Sequence, residues 1–188
     1  SDQTGAYRLS GAPESGAITV KKNGYRDNSG EIDDDMTFDA VLEPFTVKAI
    51  YVTALIAQDD GTWQEMLDLV EQTEINAIVL DVKDNTGLVR YASQVQMAHD
   101  IGAVDPRYDL QQRLKEMRDR GIYSIARVVV FEDPVLADAR PDLAIRNSST
   151  GGLWETWNGL HWVNTHNREV WQYNIDISVE VANAGFDE

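Results

Sequence analysis

The stretch that decides the fold is AIVLDVKD at residues 77–84. It is a continuous apolar run that ends in charged residues, and two other runs have the same form: VKAIYVTA at 47–54 and YSIARVVVFED at 123–133. Buried strands of a parallel sheet have this composition, and functional side chains gather at their carboxyl ends. The three runs predict the opening of a (β/α) barrel, with parallel strands near 47–54, 77–83 and 123–131.

Each run leads toward a segment with helical periodicity. Thr62 and Glu65 fit a capping box, and apolar residues then recur at helical spacing. Asp109 marks the start of a second helix and Gly121 its end. We expect the helices on the outside of three right-handed βα units, near residues 62–73, 109–120 and 167–184.

The length of the chain limits how much of a barrel it can form. A complete barrel takes about 250 residues, whereas the whole chain has 188. The sequence stops at Glu188, where a fourth strand is expected. We therefore predict an α/β fold that is the N-terminal portion of a (β/α)8 TIM barrel, inactive alone and prone to association through its open edge.

Residues 1–46 differ in composition from the rest of the chain. They contain five glycines and the acidic run Asp33-Asp34-Asp35, with short strand-like pieces such as 17–20. We interpret them as a linker or loosely ordered lead-in with one hairpin, ahead of a barrel domain at 47–188. A Ca²⁺ loop needs spaced acidic residues and a turn glycine, which this run lacks.

Composition excludes several classes of partner and site. The formal net charge of −16 leaves no basic footprint for nucleic acid or for an anionic membrane surface. There are no cysteines, which excludes disulfides, thiolate metal sites and cysteine nucleophiles. No apolar run is long enough to span a membrane, and no nucleotide or metal motif occurs, so no cofactor or metal is predicted. The oligomeric state stays open.

The second run ends in three charged residues. Alternation places Asp81 and Lys83 on one face of the strand and Asp84 on the other, near the rim. Asp81 and Lys83 can pair at a barrel mouth and hold a polar substrate, and a carboxylate there can take part in acid–base catalysis. We select Asp81 as a catalytic candidate, and Lys83 and Asp84 as substrate-binding candidates. A purely structural ion pair is the alternative.

The third run adds a cation and two acids. Arg127 lies among apolar residues, so it must be paired or face a polar interior, and Asp81 on the neighbouring strand is a plausible partner. A structural salt bridge and a substrate contact are both open for Arg127. Asp133 ends the run before Pro134, where it can cap the next turn or serve as a second catalytic carboxylate.

A long connection from Pro134 to about Thr165 concentrates aromatic residues, with three of the five tryptophans at 154, 157 and 162. Such long loops are usually functional, and flat aromatic rings can stack on sugars as well as fill cores. We take Trp154 and Trp162 as substrate-binding candidates. We expect Asp81, Lys83, Arg127 and Asp133 to converge on one mouth at the carboxyl ends of the strands, with Trp154 or Trp162 folding over it. His161 and a neighbouring histidine lack a third ligand, so zinc is not expected.

The chain from Val47 onward resembles a bacterial family of TIM-barrel glycoside hydrolases that was formerly known only as a domain of unknown function. The resemblance rests on ordered stretches at 48–53, 74–87, 121–134, 139–144 and 169–175. The family often has Asn-Pro-Tyr or Asp-Pro-Tyr before the third helix, where this chain has Asn164-Thr165-His166. The match adds Asn164 to the substrate-binding candidates.

The resemblance implies a carbohydrate substrate, an exported protein located outside the cell or in its envelope, and a further acidic residue on a fourth strand. We therefore expect a glycoside hydrolase that acts on a polysaccharide or oligosaccharide. A non-catalytic carbohydrate-binding or cell-wall-associated domain is the alternative, because the aromatic residues of the loop suit both. A deacetylase or lyase would need metal ligands or another base, and neither is evident.

Overall fold

A computed structural model describes residues 5–11, 13, 15–22, 24–32 and 37–188. The chain forms two compact units, residues 1–46 and residues 47–188. The acidic run at 33–35, weighed above as a Ca²⁺ site, lies outside the described residues. Within the described ranges, no helix is long and apolar enough to cross a membrane.

The first unit contains a two-stranded hairpin. Strands β1 (Gly16–Val20) and β2 (Asn28–Ile32) pair antiparallel, with Gly16 opposite Ile32 and Val20 opposite Asn28. The ring of Phe38 packs on β2 at Gly30, where an added Cβ would lie 2.3 Å from the ring. Only glycine fits this close approach.

The second unit is built on a parallel sheet of three strands in the order β3 (Ala49–Val52), β4 (Ala77–Lys83) and β5 (Tyr123–Val128). Ala49 pairs with Ala77, and Ala77 pairs with Tyr123. The predicted parallel strands are confirmed. The register slips between Asp81 and Lys83 at the carboxyl end of β4.

Six helices connect and cover these strands within residues 47–188. They are α1 (Ala54–Ala57), α2 (Asp60–Gln72), α3 (Gln96–Asp100), α4 (Leu110–Asp119), α5 (Pro134–Ala139) and α6 (Arg168–Ala184). The three long helices lie where periodicity predicted them. The cap of α2 was predicted wrongly. Thr62 was expected to be the capping residue, but the cap is Asp59, which accepts a hydrogen bond from Thr62 N at 2.8 Å.

The two faces of the sheet are unlike. Ile78, Leu80 and Val82 are fully buried and belong to a core cluster with apolar residues of α2, α4 and α6. Each such burial contributes about 1.5–3 kcal/mol. Tyr51 and Ile125 lie at alternate positions that point the opposite way, and they remain partly open to solvent. One sheet face is therefore the core, and the other is free to carry a site.

The connection after β5 is more ordered than its sequence suggests. We predicted a strand to residue 131 and then a loop, but β5 ends at Val128 and α5 begins at Pro134. The chain leaves the sheet because Phe131 O accepts a bond from Val163 N at 3.0 Å, which starts an antiparallel ladder with the returning segment. Further bridges within residues 144–163 make this connection a small folded layer.

Residues 187–188 return to the sheet after Gly185 ends α6 in the left-handed conformation. Glu188 N donates to Ser124 O at 3.1 Å, and Ala126 N donates to Glu188 O at 2.7 Å. Glu188 thus bonds to Ser124 and to Ala126, the residues on either side of one position of β5, which is the hydrogen-bond pattern of a parallel pair. Residues 187–188 thus occupy the place of a fourth parallel neighbour along the outer edge of β5.

Candidate functional site

The carboxylate of Asp81 lies at the centre of a polar cluster on the open face of the sheet. Tyr51 on β3 donates its hydroxyl to Asp81 Oδ2 at 2.5 Å, and Arg127 on β5 contacts Asp81 Oδ1 at 2.6 Å. Asp81 itself is 3 % exposed, whereas Tyr51 is 48 % exposed. Three adjacent strands therefore present a shielded carboxylate beneath two side chains that reach solvent. The pairing of Asp81 with Arg127 is one that the sequence suggested.

The electrostatics of the cluster favour the protonated forms of Tyr51 and Arg127. Burial and the adjacent Asp81 carboxylate raise the pKa of Tyr51 to about 12, so its hydroxyl stays a donor at neutral pH. The hydrogen bond with Asp81 also raises the pKa of Arg127. The side chain of Arg127 remains 40 % exposed, so part of its guanidinium is accessible to solvent. The cluster offers hydroxyl and guanidinium donors suited to the oxygen atoms of a sugar.

Lys83 and Asp133 form a second pair, separate from the first. Their charged atoms lie 2.8 Å apart, and both side chains are 0 % exposed. Lys83 Nζ also donates to Val129 O at 2.7 Å, with Asn174 Oδ1 on α6 at 3.4 Å. The predicted pairing of Asp81 with Lys83 is wrong, because the register slip between them lets Lys83 turn toward the helices.

Asp133 caps a helix and packs against a glycine of the loop after β4. Its Oδ1 accepts a bond from Leu136 N at 2.8 Å and so caps α5. The same oxygen sits against Gly87, where an added Cβ would lie only 2.3 Å away. In this position Asp133 does not reach solvent. Of the four residues predicted to converge on one mouth, Asp81 and Arg127 therefore lie in the polar cluster, whereas Lys83 and Asp133 form a separate, fully buried pair.

Asp84 closes the loop after β4. Its Oδ1 accepts from Thr86 N at 2.9 Å, and its Oδ2 lies 2.6 Å from Arg90 Nε. Arg90 also contacts Asp105, which links two parts of the connection between β4 and α4. Both oxygens of Asp84 are thus engaged within the loop, and its substrate-binding role stays a prediction.

The aromatic candidates lie in the folded layer after β5. The rings of Trp154 and Trp162 meet edge to face, with centroids 6.5 Å apart. Trp162 lies opposite Glu132 in the antiparallel ladder, next to the carboxyl end of β5. Asn164 accepts a bond from His166 N at 3.0 Å and forms the turn before α6. Whether these residues contact substrate stays a prediction.

Some interacting groups were not predicted. Tyr51 gave no signal because its partnership with Asp81 depends on the register between β3 and β4. His161 lies 2.6 Å from Asp138 on α5 and 3.4 Å from Glu155, so it ties the layer to a helix. The paired charges could have been suspected from composition, but not their geometry. Among the described residues, no cluster of histidine and acidic side chains has the form of a metal site.

The comparisons with known proteins cover the same unit. Residues 49–188 match the model of a family described as "Putative glycosyl hydrolase domain". The chain belongs to this family. No protein of curated function matches it.

Several solved structures are similar to this unit. A hypothetical protein from Ruminiclostridium thermocellum ATCC 27405 is 38% identical with a TM-score of 0.71, over 74% of this chain and 73% of that one. A noncanonic maltogenic α-amylase from Thermotoga neapolitana has a TM-score of 0.51 at 14% identity, over 74% and 37% of the two chains. A family 20 β-N-acetylglucosaminidase has a TM-score of 0.50 at 16% sequence identity, over 74% of this chain and 34% of that one. The two enzymes share the fold, and this chain spans about a third of their length.

Proposed function

We propose that the full-length protein hydrolyses O-glycosidic bonds of a polysaccharide or oligosaccharide, and that residues 47–188 supply the first strands of its (β/α)8 barrel. The observation that carries the proposal is the Asp81 cluster. It lies toward the carboxyl ends of three parallel strands, which is where barrel enzymes place their active sites. Membership of the glycosyl hydrolase domain family and the carbohydrate substrate that this implies support the proposal.

Glycosidases require two carboxyl groups, one that protonates the leaving oxygen and one that acts as nucleophile or base. Asp81 suits a supporting or catalytic role because Arg127 and Tyr51 fix its orientation. Asp133 is unsuited in this arrangement because it is buried against Lys83. We therefore assign the second carboxyl group to another strand of the barrel, and we expect residues 47–188 alone to bind glycan without cleaving it.

A non-catalytic carbohydrate-binding domain is the second candidate. The observation that favours it is that both oxygens of Asp81 are already bonded, to Tyr51 and to Arg127. A carboxylate held in this way can serve to position donors for a sugar. In that case the cluster binds, and no step of proton transfer passes through Asp81.

The substitution Asp81→Asn in the full-length protein separates the two candidates. Asparagine retains an oxygen that can accept from Tyr51 or Arg127, so the fold should survive. If Asp81 is catalytic, the release of reducing ends from a glycan should fall by more than about tenfold per folded molecule. Asp68→Asn, an exposed acid paired with Arg120, is the matched control.

Three measurements complete the test: circular dichroism, the melting temperature and glycan affinity. Lost turnover with an intact fold supports hydrolysis through Asp81. Unchanged turnover per folded molecule contradicts a catalytic role for Asp81. Glycan binding without any release of reducing ends by the full-length parent supports the binding domain instead.

A further inference from the structure

Trp157, in the folded layer after β5, is far more exposed than the other four tryptophans of the chain. Trp157 is 98% exposed, whereas Trp63 is fully buried and Trp154 and Trp171 are less than half exposed. Tryptophan side chains are buried to a large extent in most folded proteins. We propose that Trp157, on the connection that follows β5, is a binding platform for a neutral glycan chain, distinct from the polar cluster of the proposed active site. This inference rests on the proposed function.

The turn that carries Trp157 is held in one shape. Thr156 N donates to Leu160 O at 2.9 Å, and Gly159 N donates to Thr156 O at 3.0 Å. Thr156 Oγ1 also accepts from Leu160 N at 3.0 Å. Gly159 has a φ of +78°, which a glycine adopts without strain. The ring is thus carried on a closed turn, so the backbone of the turn loses little conformational entropy when a ligand binds.

The base of the turn is anchored on both sides. Glu155 and His161 face each other in an antiparallel bridge, and His161 also contacts Asp138 on α5 at 2.6 Å. The neighbouring residues Trp154 and Trp162 contact each other edge to face. Because the layer begins at the carboxyl end of β5, Trp157 projects from the connection that barrel enzymes use for substrate contacts.

The chemistry around Trp157 selects the class of ligand. Its flat, apolar face suits the C–H face of a sugar ring. Glu155 and Asp138 are exposed acids at the base of the turn, and the whole chain carries a net charge of −16. Anionic polysaccharides and anionic lipid surfaces are therefore repelled. The residues on either side of Trp157 in the sequence, Thr156 and Asn158, are polar and uncharged, which favours a neutral glycan.

Binding of hexasaccharides to the 188-residue chain tests the inference. The probes are cellohexaose, xylohexaose, mannohexaose, maltohexaose and chitohexaose, with a galacturonic acid hexamer as the anionic control, measured by isothermal titration calorimetry. For a neutral hexamer that the parent binds, we expect Trp157→Ala to weaken binding about three- to tenfold, the range that aromatic contacts provide. Trp157→Phe should retain most of the affinity, and Trp171→Ala is the matched control.

Each outcome supports or overturns the inference. If the parent binds a hexamer and Trp157→Ala binds it equally well, the platform is wrong and the proposed function stands. If the full-length protein neither binds nor cleaves any neutral hexamer, the proposed function fails, and the platform fails with it. If Trp157→Ala instead abolishes binding to phosphatidylcholine vesicles, the ligand is a lipid surface and the inference is overturned. In full-length protein that cleaves a hexamer, Trp157→Ala should raise KM and leave kcat unchanged.

Discussion

Breaking the buried pair of Lys83 and Asp133 should destabilise the second unit strongly. Both side chains are fully shielded, so the removal of either partner leaves a charge with neither water nor a counterion. Such a loss costs about 3–5 kcal/mol. Lys83→Met also removes the bond to Val129 O, while Asp133→Asn can keep the cap on α5, since asparagine caps helices well. We therefore expect Lys83→Met to be the more harmful of the two.

Urea unfolding followed by tryptophan fluorescence measures this cost. All five tryptophans lie within residues 47–188, so the signal reports the second unit alone. At about 2–4 °C per kcal/mol for a domain of this size, a loss of about 3–5 kcal/mol lowers the melting temperature by about 6–20 °C. The double variant Lys83→Met with Asp133→Asn should lose less than the sum of the two, because it leaves no unpaired charge.

The pH dependence gives a second measurement on the same residues. Burial lowers the pKa of Lys83 from its usual 10.5, and the attraction of Asp133 opposes this. In Asp133→Asn that attraction is gone, so the folded pKa falls further while the unfolded pKa stays. Between the lowered folded pKa and the unfolded value near 10.5, the folded state binds fewer protons than the unfolded state, so the stability of this variant must rise with pH across that interval. If each single variant has an unfolding free energy within about 1 kcal/mol of that of the parent, or if the losses of the two single variants add fully in the double variant, the reasoning is refuted.

Two further predictions concern the neighbouring structure. Gly87→Ala should lower the unfolding free energy by at least about 1 kcal/mol more than Gly102→Ala does. Both glycines have positive φ, but only a Cβ at Gly87 would meet Asp133 Oδ1. Equal losses of the two variants in urea titrations would contradict the close contact. Burial pulls the pKa of His161 down, but the bonds to its two carboxylate partners outweigh this and raise the pKa above 6.5. The stability that these bonds provide is therefore complete below pH 6.5 and is lost as pH rises through the folded pKa. His161→Gln should lower the melting temperature more at pH 5.5 than at pH 8.5. An equal decrease in melting temperature at the two pH values would show that the charge of His161 plays no part.

The strands could be predicted because their signal is local. Apolar runs such as 77–83 stay buried whatever their neighbours are, and helix ends carry their own marks, as at Asp109 and Gly185. The helix after Asp133 was missed, although an aspartate followed by proline is itself a helix-start pattern. The aromatic residues further along the same segment favoured the interpretation as one long loop.

The site could be predicted only in part because pairing depends on register. The sequence suggested the contact between Asp81 and Arg127, since equivalent strand positions lie side by side in a parallel sheet. It could not reveal the slip before Lys83, which separates that lysine from Asp81. No pattern within the strand encodes such a slip, because it depends on the helices that receive the lysine side chain.

The order of the strands also bears on how the unit folds during synthesis. Along the sheet the sequence runs β3, β4, β5 and then residues 187–188, so every new strand joins the most recent edge and none is inserted between two others. The first two strands meet across a separation of 28 residues and the next two across 46. β3 and β4 can pair before β5 has left the ribosome, which offers each later strand a finished template and limits the time that an unpaired edge is exposed to other chains.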